Sequence, residues 1–86
     1  MIRLTNQTFM EAGGNEVYPD LEMVGIVASE EINRRESSYD IVMDDLNSSL
    51  KRNANNKGCS YIFNIKYEHI EKGHSTAIGT GYKPKL

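Results

Sequence analysis

The sequence has no tryptophan, two prolines and a single cysteine, Cys59, among its 86 residues. One cysteine excludes an intramolecular disulfide, and no Cys-x-x-Cys pair suggests a structural zinc site. A chain of this length buries only about 60% of the surface that it exposes when unfolded, so its core is thin. Because neither a disulfide nor a zinc pattern supplements that core, we expect oligomerisation to do so.

The sequence also lacks an excess of positive charge and any long apolar run. Its net charge of -2 gives no general attraction to phosphate backbones or anionic lipid. No apolar run approaches the roughly 18 residues that span a bilayer, and the first residues do not follow a signal-peptide pattern. We therefore expect a cytoplasmic protein without a nucleic-acid or membrane partner.

The most regular pattern is present in residues 37–67 and predicts a helix over 38–57. Ser37 or Ser38 is the expected N-cap, Asp40 lies near the positive end of the helix dipole, and Gly58 is the expected C′ residue. Apolar residues follow one another at steps of three or four, the spacing of one helix face. These residues are Tyr39, Val42, Met43, Leu46, Leu50 and Ala54.

Several segments alternate or are rich in β-branched residues, which is typical of strands. We expect a short strand or arm over 2–9, a turn or mobile loop over 10–15, and a strand from 22 in which Gly25 marks a bulge or a close backbone approach. A hairpin of strands 61–70 and 74–82 follows the helix. In its first strand, Tyr61, Phe63, Ile65 and Tyr67 should share one side and Ile62 and Ile70 the other.

These elements predict a single α+β domain over 1–86, with an N-terminal strand or arm and loop over 1–20 and a core over 22–82. One long helix would pack on a mainly antiparallel sheet of three or four strands, in the order β-α-β-β. The other sheet face and the sheet edges would stay open, which a monomer tolerates poorly. We therefore expect a homo-oligomer.

Three segments resemble the YbjQ-like family of heavy-metal-binding domains, whose fold is close to that of the dodecins. Residues 25–30, GIVASE, are similar to the family's GVVxGE strand, and residues 54–68 to its A-x-x-x-GADAVIGIxYD segment. Residues 77–82 are similar to its final GTAV-like motif. In this chain Cys59 and Ser60 replace the AD pair, and Asn64 replaces the second glycine. The resemblance implies a dodecin-like fold and a ring-shaped homo-oligomer, commonly a pentamer, and supplies no catalytic residues.

Residue types that could carry chemistry are few. His69 and His74 flank the predicted hairpin turn, where their side chains could approach one another and bind a divalent heavy metal, either as a pair or with ligands from several subunits. Cys59 is better explained as a small buried residue after a helix end than as a nucleophile. Aromatic residues on the sheet could stack a small flat ligand, although subunit contacts are the more common role at this spacing.

We therefore expect a non-enzymatic, oligomeric binding or scaffold protein without a cofactor. The alternative is a heavy-metal-binding protein that uses His69 and His74. The residues expected to contact a ligand or another subunit are Tyr61, Ile62, Phe63, Tyr67 and Tyr82.

Overall fold

A computed structural model describes residues 2–33, 39–70 and 73–85, except for the side chains of Tyr39 and Ile70. The expected N-caps Ser37 and Ser38 lie outside these residues. The α+β class is confirmed. The described elements are β1 (Arg3–Leu4), α1 (Gly14–Val17), β2 (Leu21–Ala28), β3 (Ile32–Asn33), α2 (Tyr39–Asn56), β4 (Tyr61–Ile70) and β5 (His74–Pro84).

The strands form one mixed sheet in the order β1-β4-β5-β2, and β3 pairs with β5 on the same side as β2. β1 runs parallel to β4, and the other pairs are antiparallel. The predicted hairpin of β4 and β5 is confirmed, with Ile70 opposite His74 next to the turn. The described sheet has five strands rather than three or four, because β3, two residues long, is too short to give a sequence pattern; β1 lies within the strand or arm predicted over 2–9. The described residues also contain a second helix, α1, where a single long helix was predicted.

The core lies between α2 and one face of the sheet. The predicted apolar face of α2 is confirmed for Val42, Leu46, Leu50 and Ala54, which are buried, while Met43 packs partly against them. The sheet contributes Val27, Ile62, Ile65 and Ala77, and Cys59 fills the space after the helix. This single layer of contacts holds the long helix in place.

The C-terminal end of α2 has the hydrogen bonds of a Schellman motif. The Cys59 N–H donates to the Ala54 carbonyl at 2.9 Å, and the Gly58 N–H donates to the Asn55 carbonyl at 3.0 Å. Gly58 has φ +74° and is the predicted C′ residue. The last turn therefore ends where the sequence predicts, and the chain reverses directly into β4.

Gly58→Ala is expected to lower the free energy of unfolding by about 1–2 kcal/mol, the cost of left-handed backbone for a residue with a Cβ. Apart from residue 58 and its two chain neighbours, nothing lies within 4 Å of the added Cβ, so the loss reports the backbone conformation. Urea denaturation measures it. Gly58→Asn should lose less, because asparagine tolerates this conformation better; equal stability of the alanine variant and wild type would contradict the assignment.

Because of a bulge in the middle of β4, the arrangement of its side chains differs from the predicted one. Phe63 pairs with Thr80 and Lys66 with Ile78, so Asn64 and Ile65 together lie opposite Gly79. Asn64 has φ +55°. The extra residue moves Ile65 to the side of α2, where Ile62 also lies, so the prediction that Phe63 and Ile65 share one side is wrong.

Candidate binding face

The chain before β2 forms a short turn that lies against the sheet face opposite α2. The Thr8 N–H donates to Glu11 Oε1 at 2.8 Å, and the Glu11 N–H donates to Thr8 Oγ1 at 3.1 Å. These two reciprocal bonds are those of a capping box. The turn ends at Gly13, whose φ is +116°, where the Gly14 N–H donates to the Phe9 carbonyl. Its backbone conformation is therefore fixed at both ends.

This turn places Phe9 on the aromatic residues of β4 and β5. The Phe9 ring stacks on Tyr82 with centroids 4.4 Å apart and meets Phe63 edge-on at 5.3 Å. Tyr18 contacts Tyr61 and Phe63 with its edge, at 5.1 and 5.5 Å. Phe63 is consequently 1% exposed and Tyr82 6% exposed. A second small core thus covers one end of the sheet face that the sequence predicted to be open.

The environment of this aromatic cluster raises the pKa of two phenol groups. Burial raises the pKa of Tyr82. The hydrogen bond with Tyr61, followed by burial, raises the pKa of Tyr18, and the Arg3 cation opposes that change. Arg3 lies over the Tyr61 ring, 5.9 Å from its centroid. Both shifts favour the neutral phenol, so neither tyrosine is prepared to act as a base.

The capping box predicts a pH dependence of the N-terminal turn. Hydrogen bonds with the Thr8 backbone and then with its side chain lower the pKa of Glu11 below its ordinary value of 4.5. Because the pKa is lower in the folded protein, the stabilisation is present above about pH 4.5 and is lost as the pH falls through the folded value. Ring-current shifts from Phe9, followed by NMR, should therefore report release of the turn on acidification.

Glu11→Gln should remove this pH dependence of the Phe9 signals, because the amide does not titrate. Glu16→Gln is the matched control, since it removes an exposed carboxylate from α1, close in sequence. The same acid response in wild type and Glu11→Gln would show that another group controls the turn.

The rest of this sheet face carries exposed apolar side chains. We call it the open face and define it by Met10, Met23, Ile26 and Ile78, which are 78, 63, 65 and 41% exposed. A groove of about 420 Å³ lies beside the N-terminal turn. The described residues that line it are all uncharged: Thr8, Phe9, Met10, Asn15, Met23, Phe63, Asn64, Thr80 and Tyr82.

A shallower depression of about 220 Å³ adjoins the groove, with Asn64 and Thr80 in the lining of both. Ile26, Ile78 and Lys66 form its other walls. Its volume lies below the 300–1,000 Å³ of typical small-molecule sites, whereas that of the groove lies within it. The two together make a continuous, mainly apolar surface across β2, β5 and β4.

The structure separates the five residues that the sequence predicts for ligand or subunit contact. Ile62 lies under α2, and Tyr67 lies on the same side, where its hydroxyl donates to Asn47 Oδ1 at 2.6 Å. Tyr61, Phe63 and Tyr82 belong to the aromatic cluster on the opposite side. Of the five, only Phe63 and Tyr82 line the groove, and both are buried.

His69 and His74 lie on opposite faces of the hairpin. His69 pairs with Ser75 and His74 with Ile70, and directly paired residues share a face while neighbouring positions alternate. His69 Nδ1 hydrogen-bonds Ser75 Oγ at 2.9 Å, and His74 Nδ1 contacts Glu31 Oε1. The expected approach of the two imidazoles within one chain is therefore not observed.

In the part of the chain that the structure describes, no three His, Cys, Asp or Glu side chains are grouped closely enough to hold a metal ion. A metal site that gathers His69 or His74 from several subunits stays a prediction.

Cys59 is buried beneath β5, where Gly81 leaves room for its sulfur. Burial raises the pKa of its thiol, against the opposing effect of Lys57 and Lys83. A buried, protonated thiol is a poor nucleophile. Its position after the helix end agrees with the structural role predicted from the sequence.

The exposed residues of the open face are not among those predicted as contact residues. One signal in the sequence points towards them. The spacing Thr8-x-x-Glu11 followed by Gly13 is that of a capping box with a glycine end, and it identifies an ordered turn where a turn or mobile loop was expected. The strand that contains Ile26 alternates imperfectly, so the sequence does not say which of its apolar residues are covered.

None of the described helices is long and apolar enough to cross a membrane. Comparison of the sequence with protein-family models and with curated proteins gives no match.

Proposed function

We propose that this chain is a non-enzymatic binding or scaffold protein that assembles with copies of itself through the open face. The observation that carries the proposal is the gathering of Met10, Met23, Ile26 and Ile78 on the sheet face opposite α2. Exposed apolar residues are ordinary when scattered, whereas a continuous apolar surface indicates an interaction site.

The shape of the open face favours a second copy as its occupant. Among the described residues, Met10 is the most exposed large apolar side chain, and it lines the groove. A flexible thioether of this kind packs well into irregular apolar spaces. Projection and recess thus lie side by side on the same face, so that one copy can offer its methionine to the groove of a neighbouring copy.

The thin core supports the same proposal on energetic grounds. One helix covers one side of the sheet, and the N-terminal turn covers only one end of the other. Covering apolar surface contributes roughly 25 cal/mol for each Å² removed from water. Association through the open face would therefore stabilise the fold of each subunit as well as the assembly.

The resemblance to the YbjQ-like family gives the proposed stoichiometry. It implies a ring, commonly a pentamer, with a dodecin-like arrangement of helix and sheet. A ring of copies would also bring side chains from several subunits together. In this proposal, a small ligand or a metal would bind where those side chains meet.

Native mass spectrometry with sedimentation velocity tests the proposal on the wild-type chain. We expect a discrete oligomer at micromolar concentration and its dissociation on dilution. A chain that stays monomeric at high micromolar concentration would contradict self-association. A discrete oligomer other than a pentamer would overturn only the stoichiometry.

A further inference from the structure

β2 is an edge strand of the sheet, because its only neighbour on the path β1-β4-β5-β2 is β5. The Ser29 N–H donates to the Ala77 carbonyl, so residue 29 is directed towards β5. Because backbone groups alternate along an extended strand, the carbonyls of Ile26 and Ala28 point away from β5. They lie on the edge to which another strand could bind.

Two side chains donate hydrogen bonds to these carbonyls. One is Asn53, near the end of α2, and the other is Lys57, the residue that follows the helix. Lys57 Nζ donates to the Ile26 carbonyl at 2.8 Å, and Asn53 Nδ2 donates to the Ala28 carbonyl at 2.6 Å. The four-residue spacing of Asn53 and Lys57 places both on one side of the helix end. They reach two alternate carbonyls of the same strand.

Residues 23–28 of the edge strand are uncharged and rich in β-branched side chains. An exposed edge of such composition is prone to pair with an identical strand. An added antiparallel strand needs the outward carbonyls as acceptors for its own N–H groups. Hydrogen bonds from Asn53 and Lys57 to these carbonyls compete directly with that pairing.

On the other side of the sheet, β1 is the edge strand, and it is held to β4 within the chain. Residues 3–7 run beside β4, where the Asn64 N–H donates to the Gln7 carbonyl at 2.7 Å and the Ile65 N–H donates to the Thr5 carbonyl at 3.2 Å. These bonds also satisfy the backbone of the β4 bulge. At the β2 edge, by contrast, the hydrogen bonds to the outward carbonyls come from side chains.

We infer that Asn53 and Lys57 block the β2 edge against strand addition, and that its occupant once they are removed is β2 of a second copy, paired antiparallel. Identical strands related by a two-fold axis offer each other the same donors and acceptors, which makes the edge self-complementary. The inference concerns the edge and does not depend on assembly through the open face.

The test uses the Ile78→Glu chain as background, because a carboxylate on the open face suppresses association there and leaves β2 unchanged. In this background Asn53→Ala together with Lys57→Ala should strengthen association at least about tenfold in sedimentation velocity. Hydrogen exchange of the Ile26 and Ala28 amides should slow by a similar factor, because these N–H groups become bonded to the partner strand.

The matched control is Asn55→Ala together with Lys51→Ala, which makes the same two changes at exposed positions of the same helix. It should associate no more than the Ile78→Glu background. Unchanged association of the Asn53 and Lys57 variant, with circular dichroism showing that it is folded, would overturn the inference. Association without protection of the Ile26 and Ala28 amides would also overturn it, because the contact would then not involve the edge.

Discussion

Ile26→Glu is expected to leave the chain monomeric at concentrations at which the wild type assembles. Ile26 is 65% exposed at the centre of the open face, where it forms part of the smaller depression. Covering it with a second copy would remove a carboxylate from water, and this desolvation costs several kcal/mol even though Lys66 lies in the same depression. The association constant should therefore fall by at least about 100-fold, as measured by sedimentation velocity.

Ile41→Glu is the control that separates the position from the chemical change. Ile41 lies in α2 and is 48% exposed, so the same substitution is made on an exposed isoleucine outside the open face. This variant should assemble like the wild type. An equal loss of association in both variants would mean that added negative charge, rather than the open face, controls assembly.

Phe63→Ala is expected to lower the free energy of unfolding by about 3–5 kcal/mol, the usual cost of removing a buried phenylalanine side chain. Phe63 is 1% exposed and contacts four other aromatic rings, those of Phe9, Tyr18, Tyr61 and Tyr82. The substitution leaves a cavity where the N-terminal turn meets the sheet. Urea denaturation followed by circular dichroism measures the loss.

Phe9→Ala tests how much of this effect comes from the turn alone. Phe9 is only partly buried, so its removal should cost less than that of Phe63. A loss below about 1 kcal/mol for Phe63→Ala would contradict the second core, because it would mean that the cluster contributes little to folding. Phe63→Leu should recover part of the stability, since it restores apolar volume.

The helix and its end could be predicted because their signals are local. Leu46, Leu50 and Ala54 repeat at the spacing of one helix face, and Gly58 supplies the left-handed residue that the Schellman motif requires. The β4–β5 hairpin could be predicted for the same reason, since its two strands and turn adjoin in sequence. Each of these predictions needs only residues that are close together in the chain.

The bulge in β4 could not be predicted, because its cause lies far away in the sequence. The N–H groups of Asn64 and Ile65 are bonded to the carbonyls of Gln7 and Thr5, more than fifty residues earlier. Alternation alone places Phe63 and Ile65 together, and the bulge separates them. The same distant segment buries Tyr82 beneath Phe9, so which aromatic residues stay exposed depends on tertiary contacts.

We propose above all that copies of the chain meet through the open face. Methyl NMR spectra recorded over a dilution series test that claim at single residues. Raising the concentration should shift or broaden the signals of Met10, Met23, Ile26 and Ile78 together, while the signal of Ile41 on α2 stays unchanged. Association that perturbs Ile41 and leaves the four open-face methyl signals unchanged would contradict the account.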